Sequence, residues 1–247
     1  MTNRQAVILV VMPAYNSAAT ISDAIKSILD QSHQHIRLHI VDDNSTDDTY
    51  AIAKQYERYP RVKVFRNSEN RGAYYSRNAG LYYGRGNIWQ FFTAHDADDI
   101  SHRGRYERIL RAFRDPSLLG VQDHFSMVSH PEGVELGSRL AIGHAVYRKS
   151  VFTHLGYFHE VRFGADWEYW HRLTNRNRQT GHRTHAIQQV LGTSYIHGQN
   201  LTVQIPIGSP ERRAYIAQIR RDTKVMAKTG QFYRDIDAAL IQKVTTR

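Results

Sequence analysis

The densest group of carboxylates in the sequence follows a short apolar segment, residues 88–92. Its residues are His95, Asp96, Ala97, Asp98 and Asp99. Burying like charges together is costly unless a cation or solvent neutralises them. Carboxylate oxygens are hard ligands that suit Mg²⁺ or Mn²⁺. The pattern therefore indicates a divalent-metal and phosphate site; the alternative is an Asp-rich turn that caps a helix over residues 101–113.

The elements that would position these side chains alternate between strand and helix. Apolar runs predict strands at residues 6–11, 36–41, 62–65 and 88–92. Helical spacing and capping pairs predict helices that begin near Thr20 and Ser45, and a third helix over residues 73–83. This alternation favours a parallel sheet with helices on its faces.

Polar clusters follow three of the four strands. They are residues 13–16, Asp42 with Asp43, and residues 96–98. Because ligands of open α/β sheets bind at the carboxyl ends of the strands, these clusters are expected to form one site. Neither a G-x-G-x-x-G nor a Walker A sequence occurs, which argues against dinucleotide dehydrogenases and P-loop NTPases.

The second half of the chain has a less regular pattern. Strands are predicted at residues 119–128 and 141–147, and a short helix at residues 149–155. Asp166 heads a further helix, and Ser209-Pro210-Glu211 begins one that runs towards Gly230. Residues 232–241 are predicted as a last helix.

The composition is that of a globular protein of 247 residues with no cysteine. The absence of cysteine fits a reducing cytoplasm, and we expect a cytoplasmic location because no signal peptide or apolar run of bilayer length is present. The net charge of +10 lies entirely in residues 101–247. It suggests an anionic partner, such as phosphate, an acidic glycan, an anionic lipid surface or nucleic acid, with a solvated surface as the alternative.

Seven segments together resemble the family 2 glycosyltransferases of GT-A fold. They are Met12-Pro13-Ala14-Tyr15-Asn16, Val41-Asp42-Asp43-Asn44-Ser45-Thr46-Asp47, Asn70-Arg71-Gly72, Ser76-Arg77-Asn78-Ala79-Gly80, Asp96-Ala97-Asp98-Asp99, Arg148-Lys149-Ser150-Val151-Phe152 and Phe163-Gly164-Ala165-Asp166-Trp167-Glu168. The sequence departs from the family pattern at His95, Asn44 and Ala165, where Leu, Gly and Glu are usual.

The resemblance implies a GT-A fold, an α/β architecture with a Rossmann-like, mostly parallel sheet flanked by helices and a helical C-terminal extension. We expect residues 1–100 to form the nucleotide-sugar half of the domain, residues 101–205 its acceptor half, and residues 206–247 the extension.

The resemblance also implies a donor site at the strand ends. Its expected residues are Pro13, Ala14, Tyr15, Asn16, Asp42, Arg71, Arg77, Asp96, Ala97 and Asp98. Asp42 would accept an imino N–H of the base, Tyr15 would stack on it, and the two arginines would face base or phosphate. The alternatives are a helix cap, a core ring and solvated guanidiniums.

A divalent metal, Mn²⁺ or Mg²⁺, is the implied cofactor. Asp98 is its first expected ligand, and Asp96 would reach the ribose or a metal-bound water. His197 could close over the donor and touch the metal or diphosphate, although a lone histidine is more often structural.

The implied catalytic base is Asp166, since an attacking hydroxyl must lose a proton as it bonds to the anomeric carbon. Asp166 could also serve as the helix N-cap. Because Ala165 stands where Glu is usual, Glu168, two residues after Asp166, is the alternative base.

The resulting hypothesis is an inverting, metal-dependent glycosyltransferase of hexosyltransferase type, active in polysaccharide biosynthesis. It would move a sugar from a nucleotide-sugar donor, with UDP-sugars first, to a glycan or lipid-linked acceptor, and its basic C-terminal helix could contact an anionic membrane peripherally. A degenerate member that binds a nucleotide sugar without turnover is the alternative. A nucleic-acid-binding protein is disfavoured because no nucleic-acid motif occurs, and a sugar nucleotidyltransferase because the first loop lacks a Gly-rich, Arg-containing sequence.

Overall fold

The computed structural model describes residues 5–198 and 208–235 of the chain. Its strands are β1 (Ile8–Ala14), β2 (Ile36–Asp42), β3 (Val62–Arg66), β4 (Phe91–Ala94), β5 (Asp99–Ser101), β6 (Leu118–Ser129), β7 (Glu135–Leu140), β8 (Val146–Arg148) and β9 (Arg183–Ile196). Its α-helices are α1 (Ile21–Leu29), α2 (Thr49–Gln55), α3 (Ala73–Gly84), α4 (Arg105–Ala112), α5 (Lys149–Leu155), α6 (Ala165–Thr180) and α7 (Pro210–Thr229). Short 3₁₀ turns occupy Tyr56–Arg58 and Ile142–His144.

The described strands form one mixed sheet in the order β3-β2-β1-β4-β8-β6-β9-β5, with β7 paired to β6. The first four strands are parallel, which confirms the prediction for the N-terminal half. Beyond β4 the pairs are antiparallel, except for β6 with β9. The α/β fold class is thus confirmed, and the antiparallel pairs belong to the second half of the chain.

Two apolar clusters cover the two faces of the sheet. The apolar face predicted for α1 is buried in one of them, with Ile21, Ala24, Ile25, Ile28 and Leu29 all at most 7% exposed. The other contains residues of α3, α5 and α6. Burial on both faces explains why β1 reads as a continuous apolar run.

Several predicted boundaries were wrong. β1 continues through Pro13 to Ala14. The last pair between β1 and β4 is Val11 with Ala94, so Pro13 lies beyond it and β4 needs no hydrogen bond from a Pro13 amide. β4 begins at Phe91, opposite the first residue of β1, and Ile88 is 75% exposed. α4 begins only at Arg105 because Ser101 pairs with β9.

The predicted strand at residues 141–147 was also wrong in part, since it consists of a 3₁₀ turn followed by the short β8. Residues 232–235 are not helical: the Arg234 carbonyl accepts a hydrogen bond from the Tyr157 amide at 2.9 Å. The rest of that predicted helix, residues 236–241, lies outside the described residues.

Candidate functional site

The carboxyl ends of β2, β1 and β4 lie side by side and carry the three predicted polar clusters. Ala14 at the end of β1 is the register partner of Asp42 at the end of β2. Pro13 and Ala14 are buried, so only their backbone could face a ligand, whereas the Tyr15 ring is 48% exposed. The exposed ring is in a position to stack on a ligand above the sheet edge.

Asp42 is fully buried at this edge. Its Oδ2 accepts a hydrogen bond from the Ser45 amide at 3.2 Å and lies 3.2 Å from Arg66 Nε. Within residues 5–198 and 208–235, its Oδ1 has no hydrogen-bond partner. Burial raises the pKa of Asp42, and the Ser45 hydrogen bonds and the Arg66 charge oppose that rise. A buried acceptor without a partner is costly, so a ligand N–H would satisfy it.

The neighbouring polar residues hold the loops around Asp42. Asn16 Oδ1 accepts a hydrogen bond from the Thr46 amide at 2.9 Å, which ties the β1 loop to the β2 loop. Asp43 accepts hydrogen bonds from the Arg71 and Gly72 amides and from Asn67 Nδ2. Asn16 therefore has a structural contact in addition to its predicted place in the donor site.

The two predicted arginines are placed differently. The Arg71 guanidinium lies 4.0 Å from the centre of the Tyr75 ring and is partly exposed. Arg77 is 4% exposed, and its Nη2 donates to Asp96 Oδ1 at 2.6 Å. In this conformation the buried Arg77 guanidinium forms an ion pair with Asp96 and does not project towards a base or phosphate in solvent.

The three aspartates after β4 have different partners. Asp96 pairs with Arg77 and lies 3.9 Å from His144 Nε2, while Asp99 Oδ2 lies 2.6 Å from the same nitrogen. Asp98 Oδ2 lies 3.0 Å from His197 Nε2. Ala97 is 4% exposed and packs in the core, so its predicted donor contact would be made by the backbone.

These partners set the charges of the cluster. Desolvation alone would raise the pKa of Asp96, but the charge of Arg77, with a smaller contribution from His144, lowers it to about 2. Burial and the charges of Asp99 and Asp96 raise the pKa of Asp98 to about 6, against the opposing effect of His197. Burial would lower the pKa of His144, but Asp99 and Asp96 raise it. An added cation would favour the ionised form of Asp98, because it would offset the repulsion from the neighbouring carboxylates.

The antiparallel pairing of β5 with β9 brings His197 to Asp98. Asp99 is the register partner of Ser194, so the residue before β5 and the residue after β9 come together. The structure therefore places His197 in contact with one of the three aspartates. Its role in binding metal stays a prediction.

His144 is a member of the site that the sequence analysis missed. Ligand atoms of Asp96, Asp99 and His144 all lie within 4.8 Å of one another, a group that could hold a metal ion. His144 lies in the 3₁₀ turn before β8, and its carbonyl accepts hydrogen bonds from Thr93 Oγ1 and Arg105 Nη2. No sequence signal marks it, because its approach to the aspartates depends on long-range pairing.

Two sets of residues have the ligand chemistry that a hard divalent cation prefers, and the ligand atoms of one of them, Asp96, Asp99 and His144, lie within 4.8 Å of one another. Both sets consist of carboxylate oxygens with one imidazole, Asp98 and Asp96 with His197 in one set and Asp96 and Asp99 with His144 in the other. In each set a carboxylate oxygen already contacts the imidazole, at 3.0 Å for Asp98 with His197 and at 2.6 Å for Asp99 with His144.

Asp166 lies in the first turn of α6, and the N-cap is Gly164, so the predicted capping role of Asp166 was wrong. Its Oδ1 accepts hydrogen bonds from the Tyr74 hydroxyl at 2.8 Å and from the Trp167 amide at 2.9 Å. A Cβ placed on Gly143 would lie 3.3 Å from Asp166 Oδ2 and 3.9 Å from Arg77 Nη2. Asp166 is therefore a neighbour of the Arg77–Asp96 pair.

Glu168 is 3% exposed and paired with the fully buried Arg172. Its Oε1 lies 2.8 Å from Arg172 Nε, and its Oε2 accepts a hydrogen bond from Nη2 at 3.0 Å. Both carboxylate oxygens therefore contact the same guanidinium, and neither is presented to a substrate.

The C-terminal helix packs against the segment that carries Asp166. The Tyr215 ring contacts Phe163 edge-on at 5.7 Å, and its hydroxyl lies 3.1 Å from His159 Nδ1. Ile219 and Thr223 are buried. Five basic residues are exposed on the opposite face of α7: Arg213, Arg220, Arg221, Lys224 and Lys228. In the described parts of the chain, no helix combines the length and apolar character needed to cross a membrane.

Comparison with solved structures supports the architecture. S. aureus TarS 1-349 in complex with UDP-GlcNAc superposes with a TM-score of 0.68 at 21% identity, over 89% of this chain and 66% of that one. The mannosyltransferase PcManGT from Pyrobaculum calidifontis, in complex with GDP-Man and Mn²⁺, gives 0.63 at 20% identity, over 87% and 64%. The GT-A fold predicted from the motifs is thereby confirmed.

Sequence comparison identifies the family. TuaG of Bacillus subtilis, named as a glycosyltransferase of teichuronic acid biosynthesis, is 38% identical over 118 residues, which are 47% of this chain and 46% of TuaG. The chain spans less than two thirds of the length of the curated relatives it matches. The model of the family described as "Glycosyl transferase family 2" matches residues 9–189. Since that match includes all three strand-end clusters and Asp166, the chain belongs to glycosyl transferase family 2.

Proposed function

We propose that the chain is an inverting glycosyltransferase that moves a sugar from a nucleotide-sugar donor to a hydroxyl of a glycan or lipid-linked acceptor. The observation that carries the proposal is the meeting of three groups at one sheet edge. They are a buried Asp42 oxygen without a partner in the described chain, the exposed Tyr15 ring, and the Asp96–Asp99 cluster. The base of a nucleotide sugar requires a hydrogen-bond acceptor and a stacking surface, and its diphosphate requires a cation-binding site.

In this proposal the nucleotide lies across the ends of β2, β1 and β4. Asp42 Oδ1 accepts an N–H of the base, and Tyr15 stacks on it. Arg71 lies at the rim, and Arg77 holds Asp96 in place. The relatives in the solved structures carry UDP-GlcNAc or GDP-Man, and we propose UDP-sugars as the first donors to test.

Asp98, Asp96 and His197 are the proposed holders of Mn²⁺ or Mg²⁺. When bound, such an ion would act as a Lewis acid that stabilises the departing diphosphate. We infer that the enzyme is metal-dependent because carboxylates and imidazoles, the ligands such an ion would need, are grouped at the end of β4.

Asp166 is the proposed general base. The acceptor hydroxyl gives its proton to Oδ2 while its oxygen bonds to the anomeric carbon, and the bond from that carbon to the diphosphate oxygen breaks with its electron pair on the diphosphate. Attack on the face opposite the leaving group inverts the anomeric configuration. The Glu168–Arg172 ion pair supports this assignment, because it commits the alternative base to a buried structural contact.

Residues 1–100, 101–205 and 206–247 are proposed as donor half, acceptor half and helical extension. The basic face of α7 is proposed to face an anionic surface such as a membrane on the cytoplasmic side, where a lipid-linked acceptor would lie. Because the name of TuaG refers to teichuronic acid biosynthesis, we propose polysaccharide biosynthesis as the process to examine first.

The test is a panel of UDP-, GDP- and dTDP-sugars with Mn²⁺, Mg²⁺ or EDTA. A donor should raise the unfolding temperature only in the presence of metal, since a ligand that binds the folded state stabilises it. The same donor should be hydrolysed slowly or transferred. Metal-dependent stabilisation without any turnover would favour the degenerate, binding-only alternative, and no stabilisation by any donor would contradict the proposal.

A further inference from the structure

Two residues of α3, three positions apart, contact both halves of the candidate site. The Tyr74 hydroxyl donates to Asp166 Oδ1 at 2.8 Å, and Arg77 Nη2 donates to Asp96 Oδ1 at 2.6 Å. Residues at this spacing share one face of a helix. The Arg77 guanidinium also lies 4.9 Å from the centre of the Tyr74 ring. Helix α3 therefore connects the candidate base to the carboxylate on the donor side.

Tyr74 is built into the core and holds more than one group. It is 7% exposed, and its hydroxyl accepts a hydrogen bond from the Gly164 amide at 3.1 Å while it donates to Asp166. Burial and the charge of Asp166 raise the pKa of Tyr74 well above its usual range. The hydroxyl thus keeps its proton and remains a donor.

The hydrogen bonds described for Asp166 all fall on one of its two oxygens. Tyr74 and the Trp167 amide both donate to Oδ1, whereas Oδ2 faces Gly143. Gly164, the N-cap of α6, has a φ of +79°, and a Cβ there would lie 3.1 Å from the Tyr215 ring. The junction that carries Asp166 is therefore fixed by Tyr74 from one side and by α7 from the other.

We propose that Tyr74 is a positioning residue for the glycosyl transfer. By binding Oδ1 and the Gly164 amide, it orients the Asp166 carboxylate so that Oδ2 receives the proton of the acceptor hydroxyl. The inference rests on the proposed function, and it adds a residue of the nucleotide-binding half to the machinery of the acceptor half.

The kinetic test compares Tyr74→Phe with Tyr147→Phe as the matched control. Tyr147 is 2% exposed in the same apolar cluster, and its hydroxyl has no hydrogen-bond partner in the described part of the chain. We expect Tyr74→Phe to lower kcat about ten- to a hundredfold, because small misplacements of a reacting group are costly. KM for the donor and calorimetric donor affinity should not change, and Tyr147→Phe should behave like the wild type. A kcat for Tyr74→Phe equal to that of the control would overturn the proposal.

Hydrogen–deuterium exchange tests the same contact without any activity. In Tyr74→Phe, exchange should accelerate in peptides that contain Gly164 and Trp167, since both amides belong to the Tyr74–Asp166 network. Peptides of α1 should exchange as in the wild type, which shows that the variant is folded. Unchanged exchange at residues 164–167 would overturn the proposal. An inactive wild type in which exchange there responds as expected would instead refute the proposed function and leave the Tyr74 contact established.

Discussion

At the scale of single residues, two carboxylates of α6 two positions apart have unlike surroundings. Asp166 receives neutral donors on Oδ1, the Tyr74 hydroxyl and a backbone amide. Glu168 has both oxygens against the buried guanidinium of Arg172. A carboxylate in a buried ion pair maintains the fold, whereas one with an uncommitted oxygen at the site can take a proton.

Replacing Asp166 by Asn is therefore expected to preserve donor binding and lower turnover by a factor on the order of 10² or more, because an amide cannot accept the proton. Steady-state kinetics and calorimetry with the donor measure the two effects. Glu168→Gln is the comparison: it should destabilise the protein by about 3 kcal/mol, as expected when one partner of a buried ion pair is removed. The Glu168→Gln molecules that are folded should have the kcat of the wild type. The reverse pattern would exchange the roles of the two residues.

The buried His39 gives a prediction for stability. It is 3% exposed, and its Nδ1 lies 3.0 Å from the Gly80 carbonyl oxygen. Burial lowers the pKa of His39 to about 4 from an ordinary value of 6.5. Between these values the unfolded chain binds a proton that the folded chain does not, so this contribution to the free energy of unfolding falls as the pH falls through this range.

The contribution of His39 to the free energy of unfolding falls by about 3 kcal/mol as the pH falls through this range. Urea unfolding at pH 6.5, 5.5 and 4.5 should show a smaller decrease for His39→Gln than for the wild type, whatever the absolute stability of the variant. His35→Gln is the control, because His35 is exposed. Equal slopes for the His39 variant and the wild type would contradict the assignment.

Two departures from the family motif have physical explanations at this scale. Asn44 has a φ of +61°, a conformation that Asn adopts more readily than most residues other than Gly. His95 is fully buried, and its burial lowers its pKa well below the ordinary range, so a neutral ring occupies a position where Leu is usual. The third, Ala165, is fully buried, and the described part of the chain gives no structural explanation for it.

At the scale of elements, the sequence predicted the strands and helices whose apolar residues are buried. The parallel strands β1 to β3 and the helices α1 and α3 follow apolar patterns that burial requires. β7 is exposed along its whole length, and β9 begins with mostly exposed polar residues, so neither carries a hydrophobic pattern. β7 is placed by its antiparallel pairing with β6, and β9 by parallel pairing with the same strand, which lies more than 50 residues earlier in the chain. His144 precedes β8, a three-residue strand whose place depends on pairing with β4 and β6, so its contact with the aspartates could not be predicted either.

The basic helix α7 carries a prediction of its own. Its apolar side packs on α6 while its basic face points outwards. Each Lys or Arg near an anionic membrane contributes about 1 kcal/mol. We expect the chain to co-sediment with anionic vesicles at low salt and not with neutral ones, and the binding to be lost at high salt.

The variant that tests it combines Arg220→Glu, Arg221→Glu and Lys224→Glu, which should abolish co-sedimentation. A matched control reverses three exposed basic residues of the N-terminal half, Arg37, Arg58 and Lys63. Equal binding by the two variants would show that net charge, and not this face, is responsible. No binding of the wild type to anionic vesicles would leave α7 with its packing role alone.

At the scale of the whole molecule, charge and chemistry are divided between the halves of the chain. The first hundred residues have equal numbers of acidic and basic side chains and supply most of the residues proposed for the donor site. The remainder holds the entire excess of +10, together with Asp166 and His197. The fold persists in S. aureus TarS at 21% identity, which fits an architecture set by the buried strands.

The central claim is that the carboxylates after β4 form a metal-dependent nucleotide-sugar site. It is tested most directly by calorimetric titration of UDP into the wild type and Asp98→Asn, each with and without Mn²⁺, with Asp23→Asn, an exposed aspartate of α1, as control. In the wild type and the control, Mn²⁺ should tighten UDP binding about tenfold or more, and Asp98→Asn should lose that increase while it stays folded. Metal-dependent UDP binding that is unchanged in Asp98→Asn would contradict the account.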